Sequence, residues 1–405
     1  MSDYKGMEYL KKKLAAKKTR IDLRYRYYDM KFLTKDFGIS TPPDLRAWMG
    51  VLGWCARSVD AMADRLAFLQ FENDVFDMNG IYAANNQDVL IDSAFLGALI
   101  SACDFIYITA DSSGFPQMRV IDGRHATGII DPTTSMLQEG YAVIEFDEYD
   151  RPVTEAYFLP GETWVYEKGA REPYLVTNAA PYPLLVPVIY RPDATRPFGH
   201  SRISRACMSI VQSAVRSIKR SEIAAEFYSY PQKYVLGLSQ DAELLDKWKA
   251  SMSSMLQFDQ DDDGKFPQVG QFQASSQSPH MEQLRMLAGV FAGETGLTLD
   301  DLGFPSQNPS SSESIKAAHE TLRLTARKAQ RTFGVGLLNA GYLAACVRDD
   351  YPYLRRQVSN TRLQWAPIFE PDISSLSGIG DAVQKIQISF PDYFTEDKLR
   401  ELTGI

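Results

Sequence analysis

The sequence predicts an α+β fold in which a β-rich block sits between helical segments. Apolar residues recur at three- and four-residue spacing before residue 101 and again after residue 201. Between about 105 and 190 the pattern changes to short apolar runs broken by Gly, Pro and Asp, as strands joined by turns require. At 405 residues, 45% hydrophobic and 23% charged, the chain is long enough for two or three domains and too apolar for wholesale disorder.

Taken in order, residues 1–31 form a basic arm. Thr41-Pro42-Pro43-Asp44 then starts a helix, since proline is tolerated in a first turn. Val51, Cys55, Val59, Met62 and Leu66 carry it to about Leu69, and a second helix runs from about Asn86 to Ser101. Phe105–Thr109, Ala142–Phe146 and Thr163–Tyr166 read as strands, while Pro181, Pro183 and Pro187 mark a connection. Ser201 reads as the N-cap of a helix to about Tyr228. Ile203, Cys207, Ile210, Ala214 and Ile218 form its apolar stripe; Arg202, Arg205, Arg216, Lys219 and Arg220 form a basic one.

Pro231 ends that helix, and Lys233–Leu236 reads as a strand. Residues 240–280 are small, polar and turn-rich, with Asp261-Asp262-Asp263-Gly264-Lys265 at a loop tip. Another helix starts at Pro279 and carries Met281, Leu284, Leu287 and Phe291 on one side. The loop Thr298–Pro309 separates it from a long helix opened by a capping box, Ser310 with Glu313, and reaching about Cys346. Ile315, Leu322, Ala329, Phe333 and Leu337 line the inner face of that helix, and Lys316, Arg323, Arg327 and Arg331 follow another stripe. Arg362–Trp365 is a strand, and two short helices after about Ser377 finish the chain.

Most chemistry-bearing patterns fail on inspection. The phosphate-cradling GxxxxGK[ST] loop is missing, because Gly264-Lys265 lacks both the upstream Gly and the following Ser/Thr. Gly199-His200-Ser201-Arg202-Ile203 imitates a nucleophile elbow until Ile203 stands where glycine should close it. His319-Glu320 has no second histidine at position 323. Asp259, Asp261, Asp263 and Gly264 match the start of a calcium loop, but Gly270 replaces the closing Glu. Four dispersed cysteines suit neither a zinc site nor a secreted disulfide scaffold, so a reducing compartment is expected. Neither metal nor cofactor is expected, nor an enzyme. With no stretch of about 18 apolar residues, the reading is a soluble intracellular product without a membrane partner.

Charge is unevenly placed. The net charge is −8, yet residues 1–31 hold ten Lys/Arg and four acids, which leaves −14 for the remainder. Such an arm either meets nucleic acid or an acidic neighbour, or is a solvated helix face, and the second is favoured. A chain this acidic is poorly suited to tight, sequence-independent binding of DNA phosphates.

Four segments in order resemble one family. Arg57-Ser58-Val59-Asp60-Ala61-Met62-Ala63-Asp64-Arg65-Leu66 resembles the early helix of tailed-bacteriophage portal proteins, siphophage-type branch. The stretch from Gly199 through Arg220 and Glu226 to Pro231-Gln232-Lys233-Tyr234-Val235-Leu236-Gly237 is similar to that family's most recognisable region. Asn308-Pro309-Ser310-Ser311-Ser312-Glu313-Ser314-Ile315 and Ala382-Val383-Gln384-Lys385 resemble later segments, so the likeness spans about residues 40 to 400.

The resemblance implies a ring, usually of twelve subunits, at one vertex of a viral head. Residues 1–200 would form the N-terminal arm and wing, 201–230 a stem helix, 231–278 the clip and 279–297 the second stem helix. A tunnel loop at 298–309 would present Asp300, Asp301, Gly303, Gln307 and Asn308 to the channel. A wing helix and strand at 310–376 and a reduced crown or C-terminal helices at 377–405 complete the plan. The clip, with Asp261, Asp262, Asp263 and Lys265, would dock the terminase large subunit and later the head–tail adaptor. The basic stem stripe would meet DNA or, as favoured, acids such as Glu222 and Glu226 of a neighbouring subunit. Further implied partners are the major capsid protein and the double-stranded DNA that passes through. The product would be made in the host bacterial cytoplasm and end in the virion. A head-completion or tail adaptor without a continuous DNA channel is the second reading, and a Ser201 hydrolase the last.

Overall fold

The computed structural model describes residues 4–35, 50–229, 233–236, 268–271, 276–305, 312–369, 373–391, 393 and 399. It opens with α1 (Met7–Tyr28), whose Leu10, Leu14, Ile21 and Tyr27 are buried. The arm therefore has a docked apolar side, while Lys12, Lys18, Arg20 and Arg26 keep the solvated face that the composition suggests. It lies on a five-stranded antiparallel meander made of β4 (Ala126–Ile130), β5 (Leu137–Phe146), β6 (Pro152–Leu159), β7 (Glu162–Glu167) and β8 (Tyr174–Thr177). Leu10 and Leu14 pack against Tyr141, Val143 and Tyr157.

The lysines of α1 secure this docking. Lys13 and Lys17 donate to the carbonyls of Gly128 and Ala126, each at 2.7 Å, on the edge strand β4. Four residues of helix rise about 6 Å and two residues of strand about 6.7 Å, so lysines at i and i+4 meet alternate carbonyls of one edge. Unpaired carbonyls on a sheet edge invite other strands, and here they are occupied. Lys11 pairs with Glu155 at 2.5 Å, and Glu139 accepts the backbone N–H groups of Lys5 and Gly6 at 2.9 and 3.0 Å.

The predicted helix from 51 to 69 is shorter in the structure. α2 spans Trp54–Ala63, with Cys55, Val59 and Met62 buried and Val51 60% exposed before it. Phe68–Glu72 instead forms β1, paired antiparallel with β12 (Arg362–Trp365). That partner lies almost 300 residues away, so no local pattern announces the strand. α3 (Met78–Ala84), which the periodicity does not predict, precedes α4 (Gln87–Ser101), which it does.

A second sheet has the order β3-β2-β9, with β2 Cys103–Ala110, β3 Pro116–Ile121 and β9 Leu185–Ile189. Pro187, expected in a connection, stands inside β9 opposite Phe105. The strand is an edge, where a missing N–H breaks no ladder, and all five of its residues are buried.

After β9 come α5 (Arg205–Ser229), β10 (Lys233–Leu236), β11 (Gln268–Gln271) and α6 (Ser278–Thr295). The predicted cap at Ser201 is displaced: Ser204 Oγ accepts the Cys207 N–H at 3.1 Å, while Ser201 Oγ donates to Ile100 O at 2.6 Å. The long helix expected from Ser310 is interrupted at His319, giving α7 (Ser312–Ala318) and α8 (Glu320–Arg348). Leu322, Ala329, Phe333 and Leu337 face inward as expected, but Ile315 is 50% exposed. The first of the two predicted C-terminal helices, α9 (Ile373–Ser389), begins before Ser377, and Leu399 is again helical, while most of the chain after residue 391 lies outside the described residues. The Thr41–Asp44 start, Pro231 and the Ser310 cap lie outside the described residues.

The core forms where α4 crosses α8. Phe95 stacks on Phe333 at 4.5 Å and on Trp365 of β12 at 5.8 Å. Tyr82 of α3 donates to the Leu337 carbonyl at 2.7 Å. All four cysteines are buried and unpaired. Among the described residues no helix is long and apolar enough to cross a membrane.

Beneath α4 lies one buried carboxyl, Asp104, which accepts from Ser101 Oγ at 2.8 Å and from Gly123 N–H at 2.9 Å. Gly97 makes room for it, since a Cβ there would come 1.7 Å from Asp104 Oδ2. Burial, and then the nearby Asp122, push the Asp104 carboxyl up to about 7. Its folded value exceeds the unfolded one, so the native state holds the extra proton and stability falls as pH rises from about 4 to about 7. Asp104→Asn is expected to unfold a few degrees higher than wild type at about pH 8, with the gain vanishing toward about pH 4. Thermal melts across pH check this, and equal gains at every pH would refute it.

Candidate functional site

The site is built on α5 and α6, which run antiparallel. Their register is pinned by three polar contacts: Ser204 to Glu294, Ser217 to Gln283 and Ser221 to Gln277, each at 3.0 Å. At the far end β10 and β11 pair antiparallel, Lys233 opposite Gln271 and Leu236 opposite Gln268. The pairing brings together the two ends of 237–267. Asp261, Asp262, Asp263 and Lys265 fall in that stretch, outside the described residues.

The basic stripe divides into separate settings. Arg202 precedes α5 and is 8% exposed; its Nε donates to Ser58 O and its Nη2 to Thr295 O at 2.8 Å. One guanidinium thus joins α2, the entry to α5 and the last turn of α6, where a cation also offsets the helix dipole. Arg216 donates to the Lys35 carbonyl at 3.2 Å and to Ser213 Oγ at 2.9 Å. Lys219 is 2% exposed. Arg205 is exposed and Arg220 half-buried, so only part of the stripe faces outward.

Beyond α6 the loop is tied down at its root. Gly296 and Gly303 take positive φ, +72° and +87°, the left-handed turns that end a helix and a 3-10 turn. Thr298 N–H and Oγ1 both donate to Asp301 Oδ2 at 2.9 Å, and Asp301 N–H donates back to Thr298 Oγ1 at 3.3 Å. These reciprocal Thr298–Asp301 bonds, spaced as in a capping box, brace the entry to the 3-10 turn Asp300–Leu302. Leu297 and Leu302 are buried beneath it.

Asp301 also faces Arg57 of α2 at 3.9 Å and His319 Nδ1 at 3.6 Å, an ion pair when that imidazole is protonated. His319 marks the break between α7 and α8 and lies 6.1 Å from the Phe369 ring. The loop root therefore meets the helix break and α2 at a single carboxylate. The sequence predicts an exposed connection over 298–309, and as far as Phe304 it is instead partly packed. Gln307 and Asn308 lie outside the described residues.

Two participants escape sequence reading. Arg57 stands out only as part of a family segment, and His319 only as a failed zinc motif. The Thr298-x-x-Asp301 spacing is a usable signal for the cap. The elbow-like stretch is structural, because Ser201 Oγ is bonded to the Ile100 carbonyl and His200 pairs with Asp193 at 2.5 Å. Hydrogen bonds from His200 and Thr195 hold the Asp193 carboxyl well below its usual range. Among the described residues no group of His, Cys, Asp or Glu is placed to hold a metal ion.

Two substitutions probe this geometry. Arg202→Ala strands two buried carbonyls and is expected to cost about 2–4 kcal/mol in denaturant unfolding. Arg202→Lys should recover only part of that, because one ammonium cannot span both acceptors. Asp301→Ala removes the cap and is expected to cost about 1 kcal/mol by the same measurement. An unchanged midpoint for either Ala variant would contradict these roles.

Known proteins share parts of this chain. No family model matches it. The portal protein of Mycobacterium phage L5 is 24% identical over 333 residues, which cover 76% of this chain and 67% of that protein. The portal protein of Mycobacterium phage D29 is 24% identical over 331 residues, with the same coverage of 76% and 67%. Among solved structures, a chain of the "Virion of native gene transfer agent (GTA) particle" is 13% identical with a TM-score of 0.47 over 87% of this chain and 89% of that one. A chain of the "Neck of empty GTA particle computed with C6 symmetry" is 14% identical with a TM-score of 0.46 over 91% and 95%. Likeness at those scores assigns neither fold nor function. Across 76% of its length the chain resembles portal proteins of tailed phages, the family that its four ordered segments resemble.

Proposed function

We propose that the chain is the subunit of a phage portal, a closed ring at one capsid vertex through which the genome is packaged and later ejected. The observation that carries this reading is the likeness to two mycobacteriophage portal proteins over three-quarters of the chain. In this reading the protein is structural rather than catalytic, and its place is in the virion.

The parts are proposed as follows. α5 and α6 form the stem, and 231–278, held at its base by β10 and β11, forms the clip that receives the terminase large subunit and then the head–tail adaptor. Residues 298–309 form the tunnel loop, clasped at its root by Asp301. α7, α8 and β12 belong to the wing with residues 1–200, and 377–405 form a reduced crown. Each subunit would pack on two neighbours through different faces, a head-to-tail contact that closes into a ring, with twelve copies as the family's usual number. Twelve copies of a chain with net charge −8 carry on the order of −100, a field that discourages duplex DNA from adhering tightly to the wall. Arg205 and Arg220 are the stripe members proposed for contact with a neighbouring subunit.

Imaging the purified full-length chain tests the proposal. Closed rings with a pore wide enough for duplex DNA are expected. Assemblies without such a pore would favour a head-completion adaptor instead. Deleting Ser306 to Asn308 should leave rings intact but reduce the DNA retained by heads that carry them. Normal filling and retention would remove the loop from the mechanism.

A further inference from the structure

Three rows of cations run along helices of this chain, and two of them are partly spent inside the subunit, with Lys12, Lys18, Arg20 and Arg26 of α1 and Arg205 of α5 left exposed. On α1, Lys13, Lys17 and Arg24 end on the carbonyls of Gly128, Ala126 and Ser101. At α5, Arg202 ends on the carbonyls of Ser58 and Thr295, Arg216 on that of Lys35, and Lys219 is buried.

The third row, on α8, is different. Arg323 is clamped through two nitrogens to Glu320, both at 2.6 Å. Arg327, Lys328 and Arg331 follow, all exposed, and among the described residues none of the three makes a hydrogen bond or an ion pair. Arg327 feels Glu320, but that carboxylate is already held by Arg323.

We propose that Arg327, Lys328 and Arg331 form a contact site for the phosphate backbone of double-stranded DNA. The proposal rests on the portal reading and names the residues through which the subunit touches the duplex. The opposite face of α8 is locked in the core by Leu322, Ala326, Ala329 and Phe333, so the cations are presented from a fixed backbone. Arg327 and Arg331 stand one turn apart, about 6 Å along the axis. Arginine is common in protein–protein interfaces but lysine is scarce there, so Lys328 beside two arginines fits a polyanion, which neutralises all three adjacent cations. Phosphate contacts position a duplex without reading its sequence, as a conduit for a whole genome requires. The surrounding acidity keeps the contact weak.

The test compares wild type with Arg327→Ala/Lys328→Ala/Arg331→Ala, both full length, for binding to a fluorescent duplex of about twenty base pairs over a salt series. All three positions are exposed, so the variant should keep its melting temperature and oligomeric state. Its affinity at low salt should fall at least tenfold, and the slope of log affinity against log salt should flatten by about 0.9 for each phosphate no longer neutralised. Arg327→Lys/Arg331→Lys should retain most of the binding, because a phosphate asks mainly for the charge. Unchanged duplex binding by the triple variant, or wild type that binds no duplex at low salt, would overturn the proposal. Loss of assembly with undiminished DNA affinity would overturn it too, and would assign the row to a neighbouring subunit. Closed rings whose duplex binding is the same with and without the substitution would sink the DNA site and leave the portal reading standing. Duplex binding through this row by a chain that never forms rings would do the reverse.

Discussion

A helix buried on every side has to be enclosed, and the second half of α8 sets that condition for the whole chain. From Phe333 to Cys346 it is almost continuously buried, with only Val335 clearly exposed. α4 covers it through Phe95, β9 through Val188 beside Gly336, α3 through Tyr82, and Met78 closes on Gly341. A segment whose sides are all apolar cannot sit at a surface without losing roughly 25 cal/mol for every Å² of apolar area left in water. The order of layers follows from that enclosure. The three-stranded sheet lies on one side of α8, and the β1–β12 pair is drawn in beside Trp365.

Several buried or half-buried cations in this protein are used as donors to backbone carbonyls. Lys13 and Lys17 satisfy a sheet edge, Arg24 the end of α4, and Arg202 the end of α6 together with a carbonyl of α2. Burial pushes the Lys17 ammonium down to about 8, so its contact carries a desolvation cost that its bond to the Ala126 carbonyl and the apolar packing of α1 offset. A basic segment in an acidic chain looks like a nucleic-acid arm when only its composition is read. Its partners here are carbonyls of its own fold, and counting charge cannot distinguish the two.

Near the loop root, local and distant information meet. The Thr298–Asp301 cap is local, with a spacing visible in any sequence. The approach of Arg57 and His319 to the same carboxylate is not, since they come from α2 and the α7–α8 junction. Helices α4, α5 and α6 are legible because their apolar spacing extends over several turns. The cap of α5 falls at Ser204 rather than Ser201 because the earlier hydroxyl finds the Ile100 carbonyl, a contact across about a hundred residues.

By itself the sequence determined the class of the fold, the place of most long helices, the β-rich block between about 105 and 190 and the likeness to portal proteins. Each of these rests on periodicity, turn chemistry or the order of short motifs, all of which are properties of neighbours along the chain. Only the tertiary structure decided that Phe68–Glu72 is a strand, that Pro187 belongs to a sheet edge, that α1 is docked, and which cations still face solvent. Those outcomes depend on which hydrogen-bonding group comes within about 3 Å of which other after the chain has folded back on itself. A side chain's type states what it can bond, and the fold selects the partner.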